Sequence, residues 1–165
     1  MQSTQLFDDN GLRTYLLVMD DGDEAVAEIT TFAKVNRINA ASLTAIGACT
    51  SATLSYFDTE KGDYVSKTFV EQMEIAALIG DIADDDGTPA LHAHIVLGRY
   101  DYSALAGHLD EIHVFPTMEV VLTESPAHLR KRLNKETGLA LISPKDSTGI
   151  EEHDLVDVTL PASPR

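Results

Sequence analysis

From Ala40 onward the chain passes through one β-rich segment after another with only turn signals between them, and this succession limits the fold more than any other feature. Ala40 to Ala48 (AASLTAIGA) reads as a strand ending near Gly47, and Thr53 to Asp58 (TLSYFD) alternates apolar and polar residues up to a hairpin-like turn at Glu60-Lys61-Gly62-Asp63. Tyr64 to Val70 is the return strand. Met73 to Ile82 is a further apolar strand, closed by the turn Asp84-Asp85-Asp86-Gly87. Leu91 to Leu97 (LHAHIVL) follows and ends at Gly98. Tyr100 to Ala106 is expected as loop. His113 to Phe115 and Met118 to Thr123 are strands parted by a break or bulge at Pro116. Strands that follow strands without intervening helices favour an α+β domain with a mostly antiparallel sheet over a parallel α/β fold.

The helical signals lie outside this run. Thr14 to Met19 reads as a strand, after which the DDGDE carboxylates suit the positive end of a helix. Ala25, Val26, Ile29, Phe32 and Ala33 recur at helical spacing, so the pattern predicts an amphipathic helix from about residue 23 to 37. Ser125 as N-cap with Pro126 at the first position predicts a second, shorter helix to about Leu133. Leu139 to Ile142 is a short strand. The 165 residues suggest one domain, taken as 1–142. The polar tail 143–165, with Pro144, Pro161 and Pro164, is expected to be extended, with an edge strand at Leu155 to Leu160.

Charge and cysteine content narrow the functional classes. The net charge is −15, which repels phosphate backbones and disfavours direct DNA binding unless basic residues cluster. The one candidate cluster, Arg130-Lys131-Arg132 with Lys135, reads as a solvated helix surface. A single cysteine, Cys49, excludes an intrachain disulfide framework and reads as a small buried thiol. No apolar run approaches the roughly 20 residues of a bilayer span, and the start MQSTQLFDDN is neither signal nor transit peptide, so a reduced, cytoplasmic compartment is expected. Dinucleotide, P-loop, nucleophile-elbow and HExxH motifs are absent, and DIADDDGTP fails as a calcium loop because Ile82 falls at its first position.

The chemistry-bearing feature is LHAHIVLGRYDYSALAGHL, residues 91 to 109, which holds three of the six histidines. In a strand, residues i and i+2 point to one face, so His92 and His94 project together with Cβ atoms roughly 7 Å apart. His108, beside Gly107, is close enough in sequence for a loop to bring it back to them. Three imidazoles without a thiolate leave a fourth position open, the coordination logic of a catalytic or ligand-binding zinc centre. The other reading is histidines bonded to backbone or carboxylate within a core or interface, since His-x-His alone is a weak signal. Glu111 and Glu119 are the carboxylates nearby in sequence, as acid/base groups or as acceptors for the outer ring N–H groups. His113, His128 and His153 lack partners at useful spacing and read as surface residues.

With these residues in place the chain resembles the PPC domain, short for plants and prokaryotes conserved, also called a domain of unknown function. The resemblance spans roughly Arg13 to Ile142 and is carried by LHAHIVLG, AGHLDE and TMEV, with MEIAALIGDIA before them and ETGLALIS after. Two positions depart from the family pattern: Ala106 stands at the first glycine of its GGHL turn, and Ile112 where a glycine often follows the glutamate. The resemblance implies an α+β fold similar to that of acetolactate decarboxylase, assembled as a homotrimer. It also implies that His92, His94 and His108 match the family's candidate metal positions. The chain has the pattern of a stand-alone bacterial member without the basic AT-hook arm of the plant proteins, so minor-groove binding through that arm is not implied. The expected function is a zinc-binding, or other divalent-metal-binding, homotrimer that holds or processes a small molecule; an enzyme of this kind would be a metal-dependent lyase or hydrolase. A DNA-associated regulator and a structural or interaction module without catalysis are the alternatives.

Overall fold

A computed structural model describes residues 1–9, 12–125 and 128–147. It confirms a mostly antiparallel α+β architecture. Among the described residues one helix, α1 (Ala25–Asn36), packs on a six-stranded sheet built from β1 (Gln2–Asp9), β2 (Leu12–Met19), β3 (Ala40–Asp58), β4 (Asp63–Asp85), β5 (Thr88–Gly98) and β6 (Ala104–Glu124). A two-stranded hairpin, β7 (Lys131–Leu133) and β8 (Ala140–Ile142), follows. No described helix is long and apolar enough to cross a membrane.

The strand order β1-β2-β6-β3-β4-β5 carries one further pairing, β5 to β6. Thus β3–β4, β4–β5, β5–β6 and β6–β3 close into a ring. Closure works because β6 divides its length. Its first part faces β5 through His94↔His108 to Gly98↔Ala104, and its last part faces β2 through Thr14↔Thr123 to Met19↔Met118.

The predicted strand pairs 40–48 with 53–58, and 64–70 with 73–82, are each one continuous strand. What interrupts the apolar alternation is not a loop but register shifts, in β3 between Ala45 and Gly47 and between Cys49 and Ser51. A bulge breaks the period of two without ending the ladder. The expected break at Pro116 is likewise a shift inside β6, where Gly47 pairs Met118 and Cys49 pairs Val114. Gly47 is needed at this point, since a Cβ there would lie 2.4 Å from the Thr117 carbonyl oxygen. The predicted loop 100–106 ends earlier than expected, because β6 already starts at Ala104.

The core is formed by the inward residues of alternate strands, among them Leu17, Leu43, Leu78, Ile95, Leu97, Ile112 and Leu122. Helix α1 adds Ala25, Ile29, Phe32 and Ala33, and the Phe32 ring meets Tyr15 edge-on at 5.1 Å. Each large aliphatic side chain buried this way contributes about 1.5–3 kcal/mol. The Glu24 carboxylate starts the helix by accepting from the Val26 and Ala27 amides at 3.1 and 2.7 Å, and it also accepts from the Ile112 amide of β6 at 3.0 Å. At the other end Arg37 adopts the left-handed conformation that caps the last turn. Arg13 of β2 donates to the Glu124 carboxylate at 2.8 Å and to the Asn36 carbonyl at 3.3 Å, tying strand, sheet and helix end together.

One expectation is corrected. Residues 128–133 are not helical: Lys131, Arg132 and Leu133 pair with Ile142, Leu141 and Ala140, and Pro126 and Ala127 lie outside the described residues. A helix of two turns is too short to hold itself together, and tertiary partners take its backbone. The Leu129 carbonyl accepts from the Asp84 amide, and the Arg130 carbonyl from the Ser143 amide, both at 2.8 Å. The basic cluster is accordingly no helix surface, with Lys131 buried and Arg132 3.5 Å from Asp146. Strand β1 adds to the expected elements, in a segment where the sequence gives no apolar alternation. Every side chain of β1 is exposed, so its pairing with β2 is a backbone matter that leaves no mark on composition. The expected edge strand at Leu155 to Leu160 lies outside the described residues.

Candidate metal centre

Strand β5 sorts its residues by parity. Ala93, Ile95 and Leu97 are buried in the core, while His92 and His94 stand on the outer face of the sheet. Pairing of His94 with His108 at the inner end of the β5–β6 ladder brings in the third imidazole. The ring centroids form a near-equilateral triangle with sides of 5.2, 5.3 and 5.5 Å. One ligand nitrogen from each of His92, His94 and His108 lies within 4.8 Å of the others, a span that ring rotation closes onto a single cation at bonds of about 2.0–2.1 Å. It is β6 beginning at Ala104, rather than a returning loop, that carries His108 there.

Two glycines let the strands come this close. A Cβ on Gly80 would lie 2.7 Å from the His92 carbonyl oxygen, and one on Gly107 would lie 3.0 Å from the Ser55 carbonyl oxygen. Gly80 abuts β5, which bears His92 and His94, and Gly107 lets β6, which bears His108, lie close against β3. The Tyr64 ring covers His108 at 5.2 Å with an interplanar angle of 35°.

The carboxylates beside the centre are Asp81 and Asp110. Asp81 faces His92 across the β4–β5 ladder, with its Oδ2 3.3 Å from His92 Nδ1. That leaves His92 Nε2 as the nitrogen free for a ligand bond. Asp110 is the extra residue of a bulge between Leu109 and Glu111, and the bulge turns its side chain back over the outer face. Its Oδ2 accepts from Ser55 Oγ, which itself shares a 2.6 Å hydrogen bond with Ser66 Oγ. Its Oδ1 lies 3.8 Å from His108 Nε2.

The same bulge directs Glu111 elsewhere. Its carboxylate bonds His113 Nε2 at 2.8 Å, which also gives His113 the partner that sequence spacing did not reveal. Glu119 pairs with Val18 and Ile46 and lines a separate groove with Gln72, Glu74 and Thr117. The structure therefore brings together the three histidines, and sets Asp81 and Asp110 beside them in the position expected for Glu111 and Glu119. His128 is exposed, and His153 lies outside the described residues.

The centre's electrostatics suit a cation. His108 is shifted below the ordinary histidine value, first by burial and then by the neighbouring His92; His94 and Lys131 act in the same direction, against Asp110. A depressed value keeps the ring neutral and able to donate a lone pair. His108 Nδ1 is buried and has no hydrogen-bond partner among the described residues, and the same is true of Asp81 Oδ1. An orphaned imidazole nitrogen in a triangle of imidazoles is what a divalent transition metal would satisfy. Cys49 plays no part: it is fully buried, and burial pushes its thiol up to about 11, so it stays protonated at neutral pH.

Comparison with known proteins follows the same lines. The family profile of the Plants and Prokaryotes Conserved (PCC) domain matches residues 7–126. A metal-containing protein of Archaeoglobus fulgidus is 33% identical, with a TM-score of 0.75 over 85% of this chain and 99% of that one. A structure from Bacteroides thetaiotaomicron whose name proposes DNA binding is 32% identical, with a TM-score of 0.78 over 86% of this chain and 96% of that one. A plant- and prokaryote-conserved protein of Pyrococcus horikoshii is 31% identical, with a TM-score of 0.75 over 83% of this chain and 97% of that one. No curated protein matches. A profile covering most of the chain, and three relatives matched over nearly their whole length, place the chain in the Plants and Prokaryotes Conserved (PCC) domain family.

Proposed function

We propose that the protein is a homotrimeric metal-binding protein whose His92, His94 and His108 hold a divalent cation, zinc in the first instance, and present it to a small molecule. The observation that carries this reading is the triangle of imidazoles with one buried, unpartnered nitrogen. The name of the Archaeoglobus relative, which is metal-containing, supports it. Bound there, the metal would supply Lewis-acid polarisation of a ligand oxygen. The chain's own residues do the rest. Asp81 fixes the tautomer of His92, burial holds His108 neutral, and Asp110, tied to Ser55 and Ser66, offers an acceptor for a proton on a bound ligand.

The test is metal analysis of the purified, reconstituted chain. About one zinc per chain is expected, falling below a tenth in His92→Ala, His94→Ala and His108→Ala. Wild-type protein that takes up none on reconstitution would refute the reading.

DNA binding is a second reading, supported by the name of the Bacteroides relative. The net charge of −15 and the burial of Lys131 within the one basic cluster weigh against it. A gel shift at physiological salt decides: retardation at micromolar protein would support it, and its absence would leave the metal reading.

A further inference from the structure

Ser55 is only 4% exposed, and a buried hydroxyl has to be hydrogen-bonded. The bonds it makes lead towards the three histidines. Directly opposed residues of an antiparallel ladder share a face. Ser66 of β4 pairs with Ser55 of β3, and Ser55 pairs with His108 of β6, so both hydroxyls and the imidazole stand on one side of the sheet. Asp110, returned over that side by its bulge, joins Ser55 to His108.

The direction of each bond follows from counting protons. A serine hydroxyl has one and an ionised carboxylate has none. Ser55 gives its proton to Asp110 Oδ2, so the 2.6 Å bond between the serines is donated by Ser66. The chain from Ser66 through Ser55 to Asp110 therefore runs one way and pins one carboxylate oxygen. The other, Oδ1, stands 3.8 Å from His108 Nε2, too far for a hydrogen bond in the metal-free centre.

The stack of His108 on Tyr64 is kept by two ring orientations related by a half-turn. One of them aims Nε2 at Asp110, and in it the buried, unpartnered Nδ1 is the nitrogen left for a metal. Resting on the metal reading above, we propose that Ser66, Ser55 and Asp110 form a positioning relay that makes His108 ligate the metal through Nδ1. In the loaded centre the Nε2–H donates to Asp110 Oδ1, whose second lone pair stays open to a ligand proton. The ligand set is then mixed. His92, whose Nδ1 meets Asp81 at 3.3 Å, ligates through Nε2, and His108 through Nδ1.

The test uses the full-length chain loaded with zinc, its histidines labelled with nitrogen-15. Long-range proton–nitrogen spectra distinguish a metal-bound ring nitrogen from a protonated one. His108 is expected with zinc on Nδ1 and the proton on Nε2, and His92 with the two reversed. Zinc on His108 Nε2 overturns the relay alone, whatever the variants do. Competition with a chromophoric chelator gives the zinc affinities. Asp110→Ala and Ser55→Ala are each expected to bind zinc about tenfold or more weakly. Ser55→Thr, which keeps the hydroxyl, is expected to stay close to wild type. Because Ser55 acts through Asp110, the double variant Ser55→Ala, Asp110→Ala is expected to be no weaker than Asp110→Ala. Undiminished affinity in both alanine variants overturns the proposal. So do additive losses in the double variant, or a loss in Ser55→Thr as large as in Ser55→Ala. Wild type that takes up no zinc defeats the metal reading, and the relay with it.

Discussion

His108 meets two environments on one ring, an unpartnered buried Nδ1 and an Nε2 facing Asp110. Because folding depresses its pKa, the unfolded chain binds more protons than the folded one through the histidine range. The linkage then has one sign: metal-free protein loses stability as pH falls through about 6.5 and below, and regains it above. Urea midpoints at pH 5.5 and 7.5 should show this dependence, weakened in His108→Asn. Asp81→Asn should keep the fold and lower zinc affinity about 10–100-fold, as competition with a chromophoric chelator would report. How far the sequence disclosed these residues depended on strand parity. His92 and His94 were legible because nothing interrupts the alternation of β5. Asp81 was available as well: the turn after Asp84 pairs Asp85 with Thr88, and counting back along both strands sets Asp81 opposite His92. The placement of Glu111 was not legible, because the bulge at Asp110 reverses the parity of β6 after Leu109, and sequence carries no sign of that bulge.

At the level of elements, Glu24 joins the start of α1 to the middle of β6 through three backbone amides. Glu24→Ala should therefore cost about 2 kcal/mol, more than an isolated helix cap, seen as a lower urea midpoint with the m-value unchanged. A Gln there retains the acceptor oxygen and should recover part of the loss. Helix α1 and the apolar segments of the sheet were readable because burial on one face writes its period into the sequence. Strand lengths were not, since β3, β4 and β6 run through register shifts that imitate loop boundaries. The residues after Pro126 imitated a helix start, and only the partners supplied by β4 and by Ser143 make them extended.

The whole molecule covers one side of its sheet with α1 and leaves apolar residues on the other. Ile46, Ile79 and Val121 are 59, 67 and 43% exposed, and Ile79 pairs directly with His94. A contiguous apolar face of this kind supports the proposed homotrimer. Light scattering coupled to gel filtration should give three chain masses of 17.9 kDa for wild type, and one for Ile79→Glu, which would bring a buried carboxylate into the interface.

The ring of strands has a seam where β5 meets β6, and the seam's innermost rung is His94↔His108. A cation held by both would act as a clasp on the ring, so that its departure requires only the few rungs out to Gly98↔Ala104 to peel apart while the helix-backed interior stays intact. Ion release and amide hydrogen exchange along 94–98 and 104–108 would then share one rate, far faster than exchange of the core.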